Sequence, residues 1–483
     1  MMKTLLKFVL VILLAVNLTG FGPCAQIASS KLDRDNPVTI DCWHYYNGEQ
    51  QANFDRLVET FNRRVGAGQG IVVRAESKGN VADLTAAVRV AAKSGTQMLP
   101  DIFAAYPGTA FELATEGRLL DLTLFLDPDD LDQFNPSFLD EGRFVDGKAL
   151  YILPLAKSSE AIAVNMTFWS DFAAANPRFA DTAATLSTWE LLAQAAEAYR
   201  HWSKGEALFG FDSLANFLLV GSRQLGTNLM GIEKGKGHLD LNRETLRRLW
   251  DLYYVNIVTG SFAQYDSYRT EDLAQGRLVA AAVSTASGSW LPAQAIKDGR
   301  PEPIELQVYQ YPTFRDAERV CVQQGAGMAI VRSNPPDETA AAIFLGWLTR
   351  PEQNVLFTIS SGYLPVTDKA LESQLMRDSL ENLDRSRADQ AGIALCLETF
   401  LTQLEDSRLF YPAAFKNSDS IRNYLAQSLS STAADARQKY LADVAANSLN
   451  TDPQKLLERY VNDVAFESWY SAIILETERL LNS

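Results

Sequence analysis

Apolar positions recur with two periods along this chain, and the order in which the periods alternate predicts its architecture. Val38–Trp43 (VTIDCW), Gly70–Glu76 (GIVVRAE) and Asp101–Ala105 (DIFAA) are short apolar runs that read as strands. Between them, residues 51–63 place Phe54, Leu57, Val58 and Phe61 on one helical face, and residues 81–92 form the next helix. This β-α-β-α-β order predicts an α/β lobe with a mainly parallel sheet. Leu153–Val164 (LPLAKSSEAIAV) is extended and reads as a passage into another lobe. Thr188–Tyr199 is a helix capped by Ser187 or Thr188, and helical segments continue to Thr259. Leu306–Tyr311 and Met328–Val331 read as strands, and from about Asp337 the chain is predicted almost wholly helical. No internal repeat or heptad run interrupts this order.

The segment Phe344–Val366 (FLGWLTRPEQNVLFTISSGYLPV) carries the sharpest local signal. One helix, with Phe344, Leu345 and Leu348 on its apolar side, breaks at Pro351. A second helix ends at Gly362, which frees the backbone, and Pro365 stops further helix. Tyr363 between them is held with little freedom, so its hydroxyl is a candidate for pointing into a cleft.

Length and charge narrow the field. A chain of 483 residues holds two domains or more, and 47% hydrophobic with 10% aromatic residues excludes a disordered chain. The formal charge of −15 disfavours nucleic acid and anionic membrane surfaces as partners, yet allows one buried Arg or Lys site for a small anion. The first 23 residues read as a signal peptide: Lys3 and Lys7 precede an apolar run, Phe8–Val16, shorter than the ~20 residues of a membrane span. Cys24, in FGPC, resembles the lipid-modified cysteine of a lipobox, although Phe21 and Pro23 depart from the usual pattern. Ordinary signal-peptidase cleavage, with Cys24 a bystander, is the alternative. Residues 24–37 then form a polar tether, and the expected location is periplasmic or extracytoplasmic. Cys42, Cys321 and Cys396 allow one disulfide plus a thiol, or three buried thiols.

Catalytic signatures are missing. His44, His201 and His238 lie in no HExxH pattern and near no Cys pair, so no metal or cofactor is expected. There is no GxSxG elbow and no P-loop. Gly66–Gly70 and Gly235–Gly237 read as surface turns, because neither follows a strand and opens a helix. A cleft is better supported. Tyr46 and Asn47 follow the first strand, and Tyr106 follows the third, where α/β lobes bind ligands. Tyr46 either packs in the core or faces a ligand, Asn47 either turns the chain or binds, and Trp43 is assigned to the core. Lys157, Ser158, Ser159 and Glu160 form a polar patch in the extended apolar run and need partners if buried. Ser284–Ser289 (STASGS) is dense in hydroxyl and backbone donors that suit an anionic oxygen, or is a plain Ser/Gly loop. Gly325 lets backbone approach a ligand or a packed element.

Several pieces in order carry a resemblance: WHYYNGEQQANFDRLVETFN from Trp43, KGN at Lys78–Asn80, PDIFAAYPGTAFELATEGRLLDLT from Pro100, LPLAKSSEAIAVNMTFW from Leu153, TWELLAQAAE, ASGSW, GAGMAIV and the Phe344–Val366 segment. Together they resemble the extracellular solute-binding proteins, family 1, of ABC importers, and within it the glycerol-3-phosphate-binding branch. The resemblance implies an α/β, two-lobe periplasmic binding protein fold with crossing hinge strands and a helical C-terminal region. It divides the chain into a first lobe of residues 38–160 and 310–326 and a largely helical second lobe of residues 161–309 and 327–483. It implies no enzyme, but a monomeric binding lipoprotein that captures a small molecule in an interlobe cleft and delivers it to a permease. The branch's phosphate donors map onto Ser159, Ser287, Gly325, Tyr363 and Arg422, the hydroxyl, amide and guanidinium groups a phosphate wants. Its polyol contacts are replaced here by Val81 and Pro107, which suits a glycerophosphodiester. The alternative in the same family is a sugar or oligosaccharide stacked on Tyr46, Tyr106 and Trp290, with hydrogen bonds from Asn47, Glu160 and Asp212. An exported glycosidase stands outside the family.

Overall fold

The computed structural model describes residues 32–94, 98–446 and 452–483. The signal peptide and Cys24 lie outside the described residues. The end of the expected tether is not free, since Leu32 packs against the first core and the Asp33 carbonyl lies over Gly70.

The predicted alternation builds the first lobe. In chain order it contains β1 (Val38–His44), α1 (Gly48–Phe61), β2 (Ile71–Ser77), α2 (Val81–Lys93), β3 (Ile102–Ala105), α3 (Pro107–Thr115) and β4 (Leu153–Pro154). β1 pairs in parallel with β2 and β3. Asn80 caps α2 through its side chain, 3.0 Å from the Asp83 N–H. Phe54, Leu57, Val58 and Phe61 of α1 are buried, as their spacing predicts.

The second lobe is built on β5 (Glu160–Asn165), β6 (Phe209–Phe211), the helix α4 (Leu214–Gln224), β7 (Ala280–Ser284) and β8 (Leu306–Gln310). Its sheet has the order β8-β5-β7-β6, antiparallel except for β6 with β7. Thr188, rather than Ser187, caps the helix that follows it, 3.3 Å from the Leu191 N–H. Trp189 at the start of that helix packs edge-on against Phe217 and Tyr311, with centroids 5.3 and 5.0 Å away.

Further along, the chain forms β9 (Val320–Val322), β10 (Gly327–Ile330), α5 (Pro335–Leu348), α6 (Pro351–Ser361), α7 (Ala388–Asp406), β11 (Arg408–Phe410), α8 (Ser418–Ala446) and α9 (Asp463–Asn482), among other short elements. Here the structure corrects the expected lobe boundaries. β10 does not belong to the second lobe: it inserts antiparallel between β3 and β4 of the first sheet. Phe344 and Trp347 of α5 pack edge-on against Phe61, and Phe357 of α6 joins the same core. Val320 and Val322, expected in the first lobe, sit in the second core. The chain crosses back only at Gln323–Gly325, a polar stretch too short to carry a period. The final helices α8 and α9 complete the second core with Ile421, Leu425, Leu429, Phe466, Trp469 and Ile473. Among the described residues no helix is long and apolar enough to cross a membrane. Cys42, Cys321 and Cys396 are buried free thiols.

The crossing segments are laced to one another by backbone hydrogen bonds. Lys157 donates to the Leu364 carbonyl at 3.0 Å and Leu364 returns the bond at 2.8 Å. Ser158 and Gln324 exchange bonds of 3.1 and 2.9 Å, and Gln323 donates to the Phe410 carbonyl at 2.7 Å. Beside them Lys157 and Glu141 form a buried ion pair, with Gln323 donating to the same carboxylate at 2.7 Å. Gly325 has φ +95°, and a Cβ there would overlap the Ala156 carbonyl oxygen. Its glycine is therefore explained by packed backbone. Gly325→Ala combines a left-handed backbone with a steric clash and is expected to cost about 2–4 kcal/mol of stability, read by urea unfolding. A change within about 0.5 kcal/mol would show that the crossing segments separate freely.

Candidate functional site

Where the lacing meets the two cores, polar side chains converge from both lobes. Ser159 is fully buried; its N–H donates to Thr285 Oγ1 at 3.0 Å and its carbonyl accepts from the Thr285 N–H at 2.8 Å. Glu160 next to it is 2% exposed and accepts from the Asn216 side-chain amide at 2.9 Å. Arg422, in the first turns of α8, donates to the other end of that amide at 2.6 Å. Asn216 thus bridges a carboxylate on the crossing strand and a guanidinium on the long helix. Burial pushes the Glu160 carboxyl up to about 7, and the nearby Asp212 charge adds to this. The Asn216 amide, the Tyr311 hydroxyl and the Arg422 charge pull the other way.

The first lobe contributes phenols. Tyr363 follows Gly362, which ends α6 in the left-handed region at φ +74°. The hydroxyls of Tyr363 and Tyr106 both meet that of Tyr45, and Gln50 also reaches Tyr363. Burial raises all three phenols above their ordinary range, so they act as neutral donors and acceptors. Arg422 lies close enough to Tyr106 to favour its ionised form, which places the second-lobe guanidinium beside this cluster. Ser287 sits in the turn Thr285–Trp290, against which α7 packs; the neighbouring Ala286 carbonyl faces Gly362.

Other sequence candidates fall elsewhere. Tyr46 is fully buried between His44, Phe54 and Phe357 and presents no face for stacking. Its position after β1 points it under α1 and α6, so the core alternative holds for its ring. Asn47 is exposed and donates to the Gly79 carbonyl at 3.0 Å, which fixes the chain entering α1. Trp290, at the end of the turn that carries Ser287, is 48% exposed, and Val81 is 38% exposed. Gly325 serves the backbone crossing described above.

A cavity of about 600 Å³ opens beside this junction, between the lobes. The first lobe lines it with Pro107, Glu141 and Arg143, the second with Arg223 and Asn228, and the return segment after β11 with Tyr411. None of the nine predicted ligand residues lines it. It touches them through Pro107, the neighbour of Tyr106, and through Glu141, the partner of Lys157. Sequence reasoning missed Arg143, Arg223 and Tyr411 because the wall is assembled from distant segments and leaves no local motif. The Arg223 guanidinium stands 6.0 Å from the centre of the Phe410 ring. Among the described residues no cluster of His, Cys, Asp and Glu could hold a metal ion.

The sequence profile of the bacterial extracellular solute-binding proteins matches residues 56–381. The chain belongs to that family. Comparison with curated proteins returns no match. Among solved structures, this solute-binding protein is similar to the cyclic α-maltosyl-1,6-maltose binding protein of Arthrobacter globiformis, at 19% identity and a TM-score of 0.66, over 93% of this chain and 100% of the other. It is similar to UgpB of Mycobacterium tuberculosis, solved with glycerophosphocholine, at 19% identity and a TM-score of 0.63, over 92% and 100%. Lmo0181 of Listeria monocytogenes, solved with cycloalternan, gives 14% identity and a TM-score of 0.64, over 91% and 99%. At these identities the likeness is one of fold: α/β, two lobes of the periplasmic binding protein type, with a helical C-terminal region. The family assignment makes this an extracytoplasmic solute-binding component of an ABC importer, as the order of its motifs implied, and a binding protein by family.

The raised Glu160 carboxyl makes a stability prediction. The folded group titrates near 7, well above an ordinary carboxyl, so its contribution is fully present below the unfolded value and is lost as pH rises through about 7. The loss is expected to reach a few kcal/mol, since each tenfold gain in proton affinity on folding is worth about 1.4 kcal/mol. Urea unfolding of the wild type and Glu160→Gln from pH 4 to 8 measures it. The difference between the two should grow in favour of the variant as pH rises, and a pH-independent difference would show that folding leaves the Glu160 pKa unshifted.

Proposed function

We propose that this solute-binding protein captures a glycerol-phosphate-type ligand, a glycerophosphodiester above all, and delivers it to its permease. The supporting observation is the chain Arg422–Asn216–Glu160 beside Ser159. It brings a guanidinium from the C-terminal helix to the crossing strand that carries the candidate hydroxyl. A bound phosphate oxygen would draw on Arg422, Ser159 and Tyr363, with Ser287 on the adjoining turn. Glu160 is compatible with such an anion because a carboxyl near 7 is readily held protonated, and then donates rather than repels. The rest of the ligand would extend toward the cavity behind Pro107, where the apolar proline replaces the polyol contact of the resembled branch. Lipid anchoring through Cys24 belongs to the same proposal.

A neutral oligosaccharide is the second reading, and the cavity wall favours it. Its charges balance, with Arg143, Arg223 and Arg408 against Asp140, Glu141 and Asp146, and Tyr411 and Phe410 offer ring faces. The two readings separate by pH. A phosphodiester that requires protonated Glu160 should bind more weakly as pH rises above 7, approaching tenfold per pH unit; an uncharged sugar should not respond.

Calorimetry and thermal shift with glycerophosphocholine, glycerol-3-phosphate and maltotriose test this. A ligand at 100 times its Kd adds about 2.7 kcal/mol of stability. Arg422→Gln should weaken glycerophosphocholine at least 100-fold, also about 2.7 kcal/mol, while leaving the fold intact by circular dichroism. Stabilisation by maltotriose alone would transfer the assignment to the oligosaccharide reading.

A further inference from the structure

Arg422 shares its helix turn with a second charged residue, Asp419, close enough for the two charges to attract, which reaches across to the first lobe. Asp419 lies in the first turn of α8, on the second lobe, and its carboxylate rests on the first turn of α3, on the first lobe. Three features of the first lobe fit it. Gly108 leaves the space: a Cβ there would overlap the carboxylate oxygens and carbon of Asp419. Thr109 reaches the carboxylate with its hydroxyl. Arg89, from α2, lies 3.6 Å from it. The carboxylate also lies at the positive end of the nine-residue helix α3. Phe111, one turn along α3, packs against the second core.

We propose that Asp419 is the closing latch of the two lobes, a positioning residue that sets how long a solute is held without touching it. In the closed form it supplies the missing anion for α3 and Arg89. In an open form both return to water, and so does Asp419. The exchange is nearly balanced for exposed groups and becomes favourable as closure dries the contact. The latch therefore stabilises the closed form by itself, so that the solute-free protein closes transiently. Because Asp419 and Arg422 lie three residues apart on one helix, a solute that engages Arg422 holds the helix where Asp419 meets α3. Glu112 is the opposing influence, a like charge on the next turn of α3.

The latch rests on the reading of the protein as a solute trap, but its test needs no solute, so failure of the phosphodiester assignment leaves it standing. With Cys24→Ser in place, Leu124→Cys and Val464→Cys put dyes on exposed positions of the two lobes, and Cys42, Cys321 and Cys396 are buried. Single-molecule energy transfer on the full protein without solute then gives opening and closing rates. Asp419→Asn should raise the opening rate at least fivefold and change the closing rate less than twofold, and Asp419→Glu should recover part of the loss. Gly108→Ala, which expels the carboxylate and removes no charge, should reproduce the effect from the other lobe. A purely structural role would lower the melting temperature and leave the opening rate unchanged. That result, or a solute-free wild type that never closes, would overturn the latch.

Discussion

The backbone exchange between Lys157–Ser158, Gln324 and Leu364 is the constraint on which the rest depends. It joins three passages of the chain where both cores are within reach, and Gly325 lets the second passage lie against the Ala156 carbonyl. Three of the groups proposed to meet a solute hang from it directly. Ser159 and Glu160 are the next two residues of the first passage. Tyr363 precedes the residue that closes the third. Lys157 pins the junction to Glu141, which in turn forms part of the cavity wall. Hydrogen bonds along short extended segments hold register while allowing rotation about the junction, the mechanical property that a pair of closing lobes requires.

Periodicity made the first lobe legible as far as β3, because each strand and helix there has an apolar face of its own. It failed at the crossings. Gln323–Gly325 has no apolar face, so nothing local announces that Val322 belongs to one core and Met328 to the other. The polar patch Lys157–Glu160 was legible as a place needing partners. That those partners are Glu141, Thr285 and Asn216 depends on contacts across large sequence separations. The Gly-Tyr-Leu-Pro corner announced a fixed phenol, and the structure gives that phenol Tyr45 and Gln50 as neighbours. Tyr46 illustrates the opposite case: strand-end position suggested a ligand face, and aromatic packing under Phe54 and Phe357 won. The cavity wall was invisible, since Arg143, Arg223 and Tyr411 meet only after the whole chain has folded.

Charge is distributed to suit a trap within an acidic molecule. The chain carries an excess of 15 negative charges, yet at the junction each cation is answered by a nearby acid or amide: Lys157 by Glu141, Arg422 by Asn216 with Glu160 behind it, Arg89 by Asp419. Such groups are preorganised rather than idle. A solute oxygen that displaces one of these contacts exchanges one hydrogen bond for another and pays little for desolvation, because the protein has already removed the water.

The helix α9 has a consequence for how this molecule comes into being. The second core is finished by its Phe466, Trp469 and Ile473, while the first core waits for β10 and α6. The first core can close once α6 has emerged, whereas the second cannot close before α9. Synthesis and folding are thereby separated in time, and the long-range pairings make collapse slow. A polypeptide whose second lobe stays open until α9 emerges keeps that half free to be threaded through a narrow pore before it acquires a shape.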